Sequence, residues 1–254
     1  MADYNNSVAR GQAGVAGAID AGLRAYMLRV YNYMFAGLAL TGIAAYATFA
    51  LAVTNDPSLA VERLPNGIML TSFGSTVFGV MWILMLASLG VVLFLSFRIQ
   101  RMSVATALTS FLVYAGLIGV TFSSILMVYT YASVAEVFFI TAATFGAMSL
   151  WGYTTRTDLT GFGSFLFMGL IGILNAMVVN FFLASPMMQW VISVAGVVIF
   201  TGLTAYDTQK IKEMYVSNDD GTASGRKAIF GALTLYLDFI NLFLFILRLM
   251  GNRR

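Results

Sequence analysis

The sequence predicts an all-α integral membrane protein built as a bundle of seven transmembrane helices. Three observations carry that reading. Of the 254 residues, 59% are hydrophobic. Only 10% are charged, against roughly a quarter in a soluble domain, too few to clothe a surface facing water. The apolar residues also fall into seven runs, each able to supply the ~20 residues that cross a hydrocarbon core of ~30 Å.

The chain opens with MADYNNSVARGQAGVAGAIDAGLRAYMLR, a polar stretch rich in alanine and glycine that contains Asp3 and Asp20. It lacks the basic start and unbroken apolar core of a signal peptide. Residues 1–29 therefore read as a cytoplasmic tail with room for an interfacial helix. The spans follow at 30–53, 73–97, 104–128, 134–152, 162–183, 189–207 and 228–249, a transmembrane domain of residues 30–250.

The breaks between spans have local causes. NDPSLAVERLPNG (55–67) holds two of the three prolines, RIQRMS (98–103) is a tight basic turn, and YTTRTDLTG (153–161) is polar. Pro186 stands at the mouth of the sixth span, where its missing N–H costs no helical hydrogen bond. KEMYVSNDDGTASGRK (212–227) is a charged loop. The mildest break is VYTYASVAE (128–136), where Tyr129 and Tyr131 fit an interfacial aromatic belt. The alternative there is one kinked helix, but such a helix is far too long for a single span.

Orientation follows from the basic residues. Arg10, Arg24, Arg29, Arg98, Arg101, Arg156, Lys210, Lys212, Arg226 and Lys227 fall on one side, and Arg63 alone represents the other three inter-helix loops. The N-terminus and the even-numbered turns are thus expected in the cytoplasm. Arg248, Arg253 and Arg254 then lie outside if the seventh segment crosses fully, and inside if it re-enters. Its length favours crossing. Glycines in GLIG (116–119) and GLIG (169–172) are expected to let helix backbones approach.

With neither cysteine nor histidine, the chain has no thiol chemistry and none of the usual side-chain titration near neutral pH. Attention therefore falls on deep carboxylates. The seventh span, TLYLDFINLFLFILRLM (234–250), carries Asp238 near its centre, where an ionisable group is functional by default. Asp207 lies about fifteen residues before the midpoint of the last loop, and Asp238 about fifteen after it. In an antiparallel hairpin the two reach similar depth. Close together in low dielectric, they should share one proton and titrate as a coupled pair.

Thr234 and Asn241 lie at i−4 and i+3 from Asp238, making a polar stripe on one helix face. Arg98 and Arg101, at the end of the second span, can reach toward the carboxylates or serve as positive-inside anchors. Asn175, Asn180 and Glu136 are secondary candidates for lining a path, with interhelical hydrogen bonding the plainer role for the two asparagines. Lys210 and Lys212 read as interfacial anchors. The carboxylate, amide and hydroxyl oxygens form a hard donor set suited to Ca²⁺, Mg²⁺ or protons. Two acids at Asp207 and Asp238 make only a weak, transient metal site.

GxGxxG, GxxxxGK[ST] and HExxH are all absent, and no tightly bound cofactor, nucleic acid partner or enzymatic activity is expected. An intramembrane aspartyl protease would need YD and GxGD contexts. Only the YD at 206–207 occurs.

GLTAYDTQKIK (202–212) and LTLYLDFINLFLFILR (233–248) resemble the two C-terminal signatures of the Bax inhibitor-1 family in its bacterial branch. RIQRMSVATAL and FLVYAGLIGVTFSSI are also similar to that branch, and the likeness covers roughly residues 25–250. The resemblance implies a seven-helix fold with the last helix at the centre. It implies a pH-dependent Ca²⁺ leak across the cell inner membrane, with Asp207 and Asp238 as the pH sensor and Arg101 as the arginine that latches to them. Other bacterial relatives are associated with a membrane-bound ATP-dependent protease. That implies a second reading, a regulatory membrane protein without transport.

Overall fold

A computed structural model describes residues 2–64 and 67–253, with side chains described from residue 21 onward. Met1, Pro65, Asn66 and Arg254, and side chains of the predicted tail such as Arg10, lie outside the described residues. Helix α1 runs unbroken from Ala2 to Ala52, so the predicted tail continues the backbone of the first span. The apolar part of that helix is Ala21–Ala52.

The first inter-helix loop forms a small sheet instead of irregular chain. Strands β1 (Val53–Thr54), β2 (Glu62–Arg63) and β3 (Met69–Leu70) lie in the order β1-β3-β2, all antiparallel. Thr71 then caps helix α2 (Ser72–Gly79) by accepting from the Gly74 N–H at 3.1 Å. In the same place Ser75 donates to Glu62 Oε2 at 2.8 Å, tying sheet to helix.

Two predicted spans are interrupted. The second breaks at Val80 (φ −101°, ψ 12°), dividing α2 from α3 (Met81–Arg98). Gly79, next to it, is a poor helix former. A 3₁₀ turn at Ile99–Arg101 closes α3. The third span breaks at Ser123 and Ser124, dividing α4 (Val104–Phe122) from α5 (Ile125–Val128). Both serine hydroxyls donate back to carbonyls, Val120 O at 2.6 Å and Thr121 O at 2.8 Å, and so compete with the helical ladder.

The remaining helices are continuous: α6 (Tyr131–Thr154), α7 (Thr160–Leu183), α8 (Pro186–Glu213) and α9 (Gly221–Met250). Thr130, Ser185 and Asp220 cap α6, α8 and α9 with side-chain oxygens, as short polar residues do at N-termini. Among the described residues, seven helices are long and apolar enough to cross a membrane. Their outward side chains, Trp82, Phe97, Phe181 and Phe182 among them, are large, apolar and exposed. That is the surface a bilayer solvates.

The most deeply buried helix is α9, with 72% of its apolar window buried against 11% for α7. It packs on α1, α4, α6 and α8, while α7 packs on α8 and α3 on α4. Aromatic rings make several of the junctions. Tyr236 meets Phe111 and Tyr114 of α4 edge-on, Phe239 meets Phe145 of α6, and Phe245 stacks on Phe200 of α8. Thr41 of α1 joins Tyr236 through hydroxyls 2.7 Å apart.

The seventh segment makes a full crossing. As a single 30-residue helix, α9 spans about 45 Å. Its tail is fastened at the far end: Thr130 N–H donates to Asn252 O at 3.1 Å, and Asn252 N–H donates to Ser133 Oγ at 2.9 Å. Arg253 lies over the Tyr129 ring at 5.9 Å. This removes the re-entrant alternative.

In each GLIG, one glycine makes a close contact and another does not. A Cβ on Gly119 would come 2.6 Å from the Thr41 carbonyl oxygen and from Ala44 Cβ, whereas one on Gly116 would meet nothing within 4 Å. Likewise Gly169 abuts Ile199 and Gly172 faces open space. Gly119→Ala is therefore expected to destabilise the protein by about 1–3 kcal/mol through overpacking against backbone. Gly116→Ala should be neutral or stabilise by about 0.5–1 kcal/mol through helix propensity. Thermal unfolding of the two variants in one detergent checks the contrast. Equal melting temperatures would remove the assigned α1–α4 contact.

Candidate functional site

The candidate site lies on the α8–α9 hairpin. Asp238 sits midway along α9, only 5% exposed, and its Oδ2 is buried without a hydrogen-bond donor among the described residues. Asp207, half-buried on α8, is its neighbour across the hairpin and lines the same cavity. The two carboxyls thus meet across the contact between the last two helices.

Both line a cavity of about 740 Å³ bounded by α7, α8 and α9. The α9 side of the cavity follows one helical face: Thr234, Asp238, Asn241, Phe245 and Arg248. The repeat of three and four residues sets these side chains in a line about 21 Å long. Thr234 donates its hydroxyl to Phe230 O at 3.1 Å, and Asn241 donates Nδ2–H to Leu237 O at 2.8 Å. Thr234 thereby spends its one donor and Asn241 one of its two amide N–H groups, and the side-chain oxygens of both remain acceptors. Such a lining favours a cation or a proton donor. The α7 side, with Phe167, Leu170 and Leu174, is apolar apart from Ser164, whose hydroxyl donates to Thr160 O at 3.0 Å.

The sequence YDTQK (206–210) works as a junction because successive residues turn about 100° around a helix. Asp207 faces Asp238 of α9. Thr208 and Ser149 of α6 have hydroxyls 2.9 Å apart, and Ser149 in turn is 2.7 Å from the Tyr31 hydroxyl of α1. Gln209, 6% exposed, accepts from the Leu159 N–H at 2.8 Å and donates to Thr157 O at 2.9 Å, holding the α6–α7 turn. Lys210 lies over the Tyr206 ring at 5.7 Å and acts electrostatically on Asp207 from within the cavity. Two residues on, Lys212 donates to Tyr153 O at 2.8 Å. In the turn that Gln209 holds, Asp158 takes hydrogen bonds from the Thr160 side chain and backbone, which keep its carboxyl below the usual range.

The other sequence-predicted residues are not gathered here. Arg98 and Arg101 are exposed at the end of α3 and on the 3₁₀ turn, and neither lines the cavity. That turn packs on α9, where Arg226 donates to the Gln100 carbonyl. Asn175 is exposed on α7 away from the cavity, and Glu136 is exposed on α6. Asn180 accepts from the Ser185 N–H at 3.0 Å, closing the α7 C-terminus beside left-handed Ala184 (φ 48°). No cluster of three or more potential metal-ligating side chains occurs among the described residues.

Conversely, the structure adds two cations. Lys210, read from sequence as an anchor, belongs to the cavity, and so does Arg248, whose guanidinium lies 5.5 Å from the Phe245 ring. Their spacing was the available signal. Lys210 is three residues from Asp207, and Arg248 is seven from Asn241, each on a shared helix face.

Residues 23–254 match the family model described as inhibitor of apoptosis-promoting Bax1. The chain is 47% identical over 236 residues to the inner membrane protein YbhL of Escherichia coli (strain K12), covering 92% of this chain and 94% of that one. A protein of Rickettsia prowazekii (strain Madrid E) is 46% identical over 235 residues, 92% of each chain. One from Caulobacter vibrioides is 41% identical over 260 residues and the full length of both.

Gln209→Leu is expected to leave the Leu159 N–H and Thr157 carbonyl without their partner, at a cost of about 1–3 kcal/mol. Hydrogen–deuterium exchange should quicken in the peptide covering residues 155–163, with little change in the α3–α4 turn. Unchanged exchange there would show that Gln209 does not hold the turn.

Proposed function

The chain belongs to the Bax inhibitor-1 family, and on that premise we propose that it is a pH-sensitive Ca²⁺ leak pathway of the bacterial cytoplasmic membrane, with α9 as its central element. The observation that supports this most is the meeting of Asp207 and Asp238 inside the membrane-spanning hairpin, beside a cavity of about 740 Å³. Two carboxyls in mutual contact hold one proton between them, because each otherwise offers only acceptors to the other. The presence or absence of that proton decides whether α8 and α9 attract or repel at this level. A divalent cation can replace it, with Asn241 and Thr234 as neutral oxygen donors. So sparse a donor set binds weakly, as a transported ion requires.

Arg101 enters this reading as a latch that engages the pair in another state, since here it stands exposed on the 3₁₀ turn. The packing of that turn on α9 gives it a route to the hairpin. The basic residues set the N-terminus in the cytoplasm. The name of the E. coli relative agrees with an inner-membrane location.

The test is Ca²⁺ flux into proteoliposomes carrying a trapped indicator, measured across about pH 6 to 8 where a shared-proton pair can act as a switch. Wild-type protein should give flux that varies with pH. In Asp207→Asn and Asp238→Asn the ratio of rates at the two ends of the range should collapse toward one. Arg101→Gln should change that ratio while leaving a pH dependence in place. Flux no greater than in empty liposomes at any pH would overturn the proposal.

A further inference from the structure

A second cavity, of about 300 Å³, lies in the other half of the bundle and takes no part in the aspartate site. Its floor is α9, through Phe239 and Phe243, and its flanks are α1, through Thr41 and Gly42, and α6, through Ala135 and Phe138. The two flanking helices meet at both ends of this slot. At the inner end the Tyr31 and Ser149 hydroxyls are 2.7 Å apart. At the outer end the Phe49 and Tyr131 rings meet edge-on with centroids 5.8 Å apart. Between these ties small residues keep the slot open, and a Cβ built on Gly42 meets nothing within 4 Å. Tyr46 and Phe139 stand exposed at the rim, 62% and 70% respectively.

The chemistry of the walls selects the occupant. A buried water needs two to four polar partners. Inside the slot the polar side chain is Thr41, and its hydroxyl is already engaged by Gly37 O at 3.0 Å, Ala115 O at 2.9 Å and the Tyr236 hydroxyl at 2.7 Å. The other polar groups of the lining are the rim tyrosine hydroxyls. Water is therefore excluded. A helix of a second copy, about 10–12 Å across, is too thick for the space. An acyl chain is thin and flexible, and it is the phase that surrounds the slot at this depth of the bilayer.

We propose that the slot between α1 and α6 is a binding site for one acyl chain of a membrane phospholipid, which lies against Phe239 and Phe243 of α9. The chain fills the gap that Gly42 and Ala135 leave and packs directly on the helix that carries Asp238.

The test reconstitutes the full-length protein with phosphatidylethanolamine bearing a diazirine at the end of one acyl chain. The sites of light-induced attachment are then read by mass spectrometry. Label should concentrate on the segments 41–46, 134–139 and 239–243, above the level on the lipid-facing Phe181 and Phe182 of α7. Gly42→Phe places a ring in open space and should lower label in those segments several-fold without lowering the melting temperature. Ala135→Phe should do the same from the opposite flank. Label spread evenly over all lipid-facing surfaces, label in the slot unchanged by both substitutions, or cross-links to a second protein chain there would each overturn the proposal.

Discussion

A carboxyl group in the middle of a membrane helix can persist only where lipid does not reach it, and that constraint organises the bundle. Asp238 fixes α9 as a helix that must be surrounded. The other helices supply the enclosure: α1, α4, α6 and α8 pack on α9, whereas α3 and α7 stand outside and lean on α4 and α8. Burial follows the same order, from α9 at the greatest to α7 at the least. The aromatic side chains of α9 divide among its neighbours, so the helix is held from several directions while the face with Thr234, Asp238 and Asn241 is left to a cavity.

The polar interactions inside the bundle concentrate at α8. Away from the cavity, each buried donor needs an acceptor within the protein. The residues from Asp207 to Lys212 meet that demand by facing different neighbours: the α9 carboxyl, the α6 and α1 hydroxyls, and the backbone of the α6–α7 turn. A change at the aspartate contact therefore acts on a helix whose other bonds reach α1 and α6. This makes α8 the shared element between the proposed gate and the rest of that half of the bundle.

The two cavities show how wall chemistry divides the interior. The larger has carboxyls, leftover acceptors and cations along one face and apolar residues along the other, so it can admit water or an ion. The smaller has nearly none of these, and its one interior hydroxyl is fully used. Both lie against α9, on opposite sides of the same helix, and Phe239 of the smaller directly follows Asp238 of the larger.

The sequence by itself determined the seven spans, because hydrocarbon thickness and apolar run length are local quantities. It also gave Asp207 and Asp238 similar depth, since counting outward from a loop measures distance along two antiparallel helices. The interruptions at Val80 and at Ser123–Ser124 were not legible, because a helix break inside an apolar run leaves hydropathy almost unchanged. Nor was the path of the last segment, whose basic tail conflicted with the charge rule until hydrogen bonds to Thr130 and Ser133 placed it. Only the tertiary structure decided which cations share the cavity with the aspartates, and that Asn180 finishes a helix while Asn241 lines the cavity. A residue's depth is set by its position along the chain, but its neighbours are set by how helices rotate about their axes, and a single sequence records that rotation only faintly.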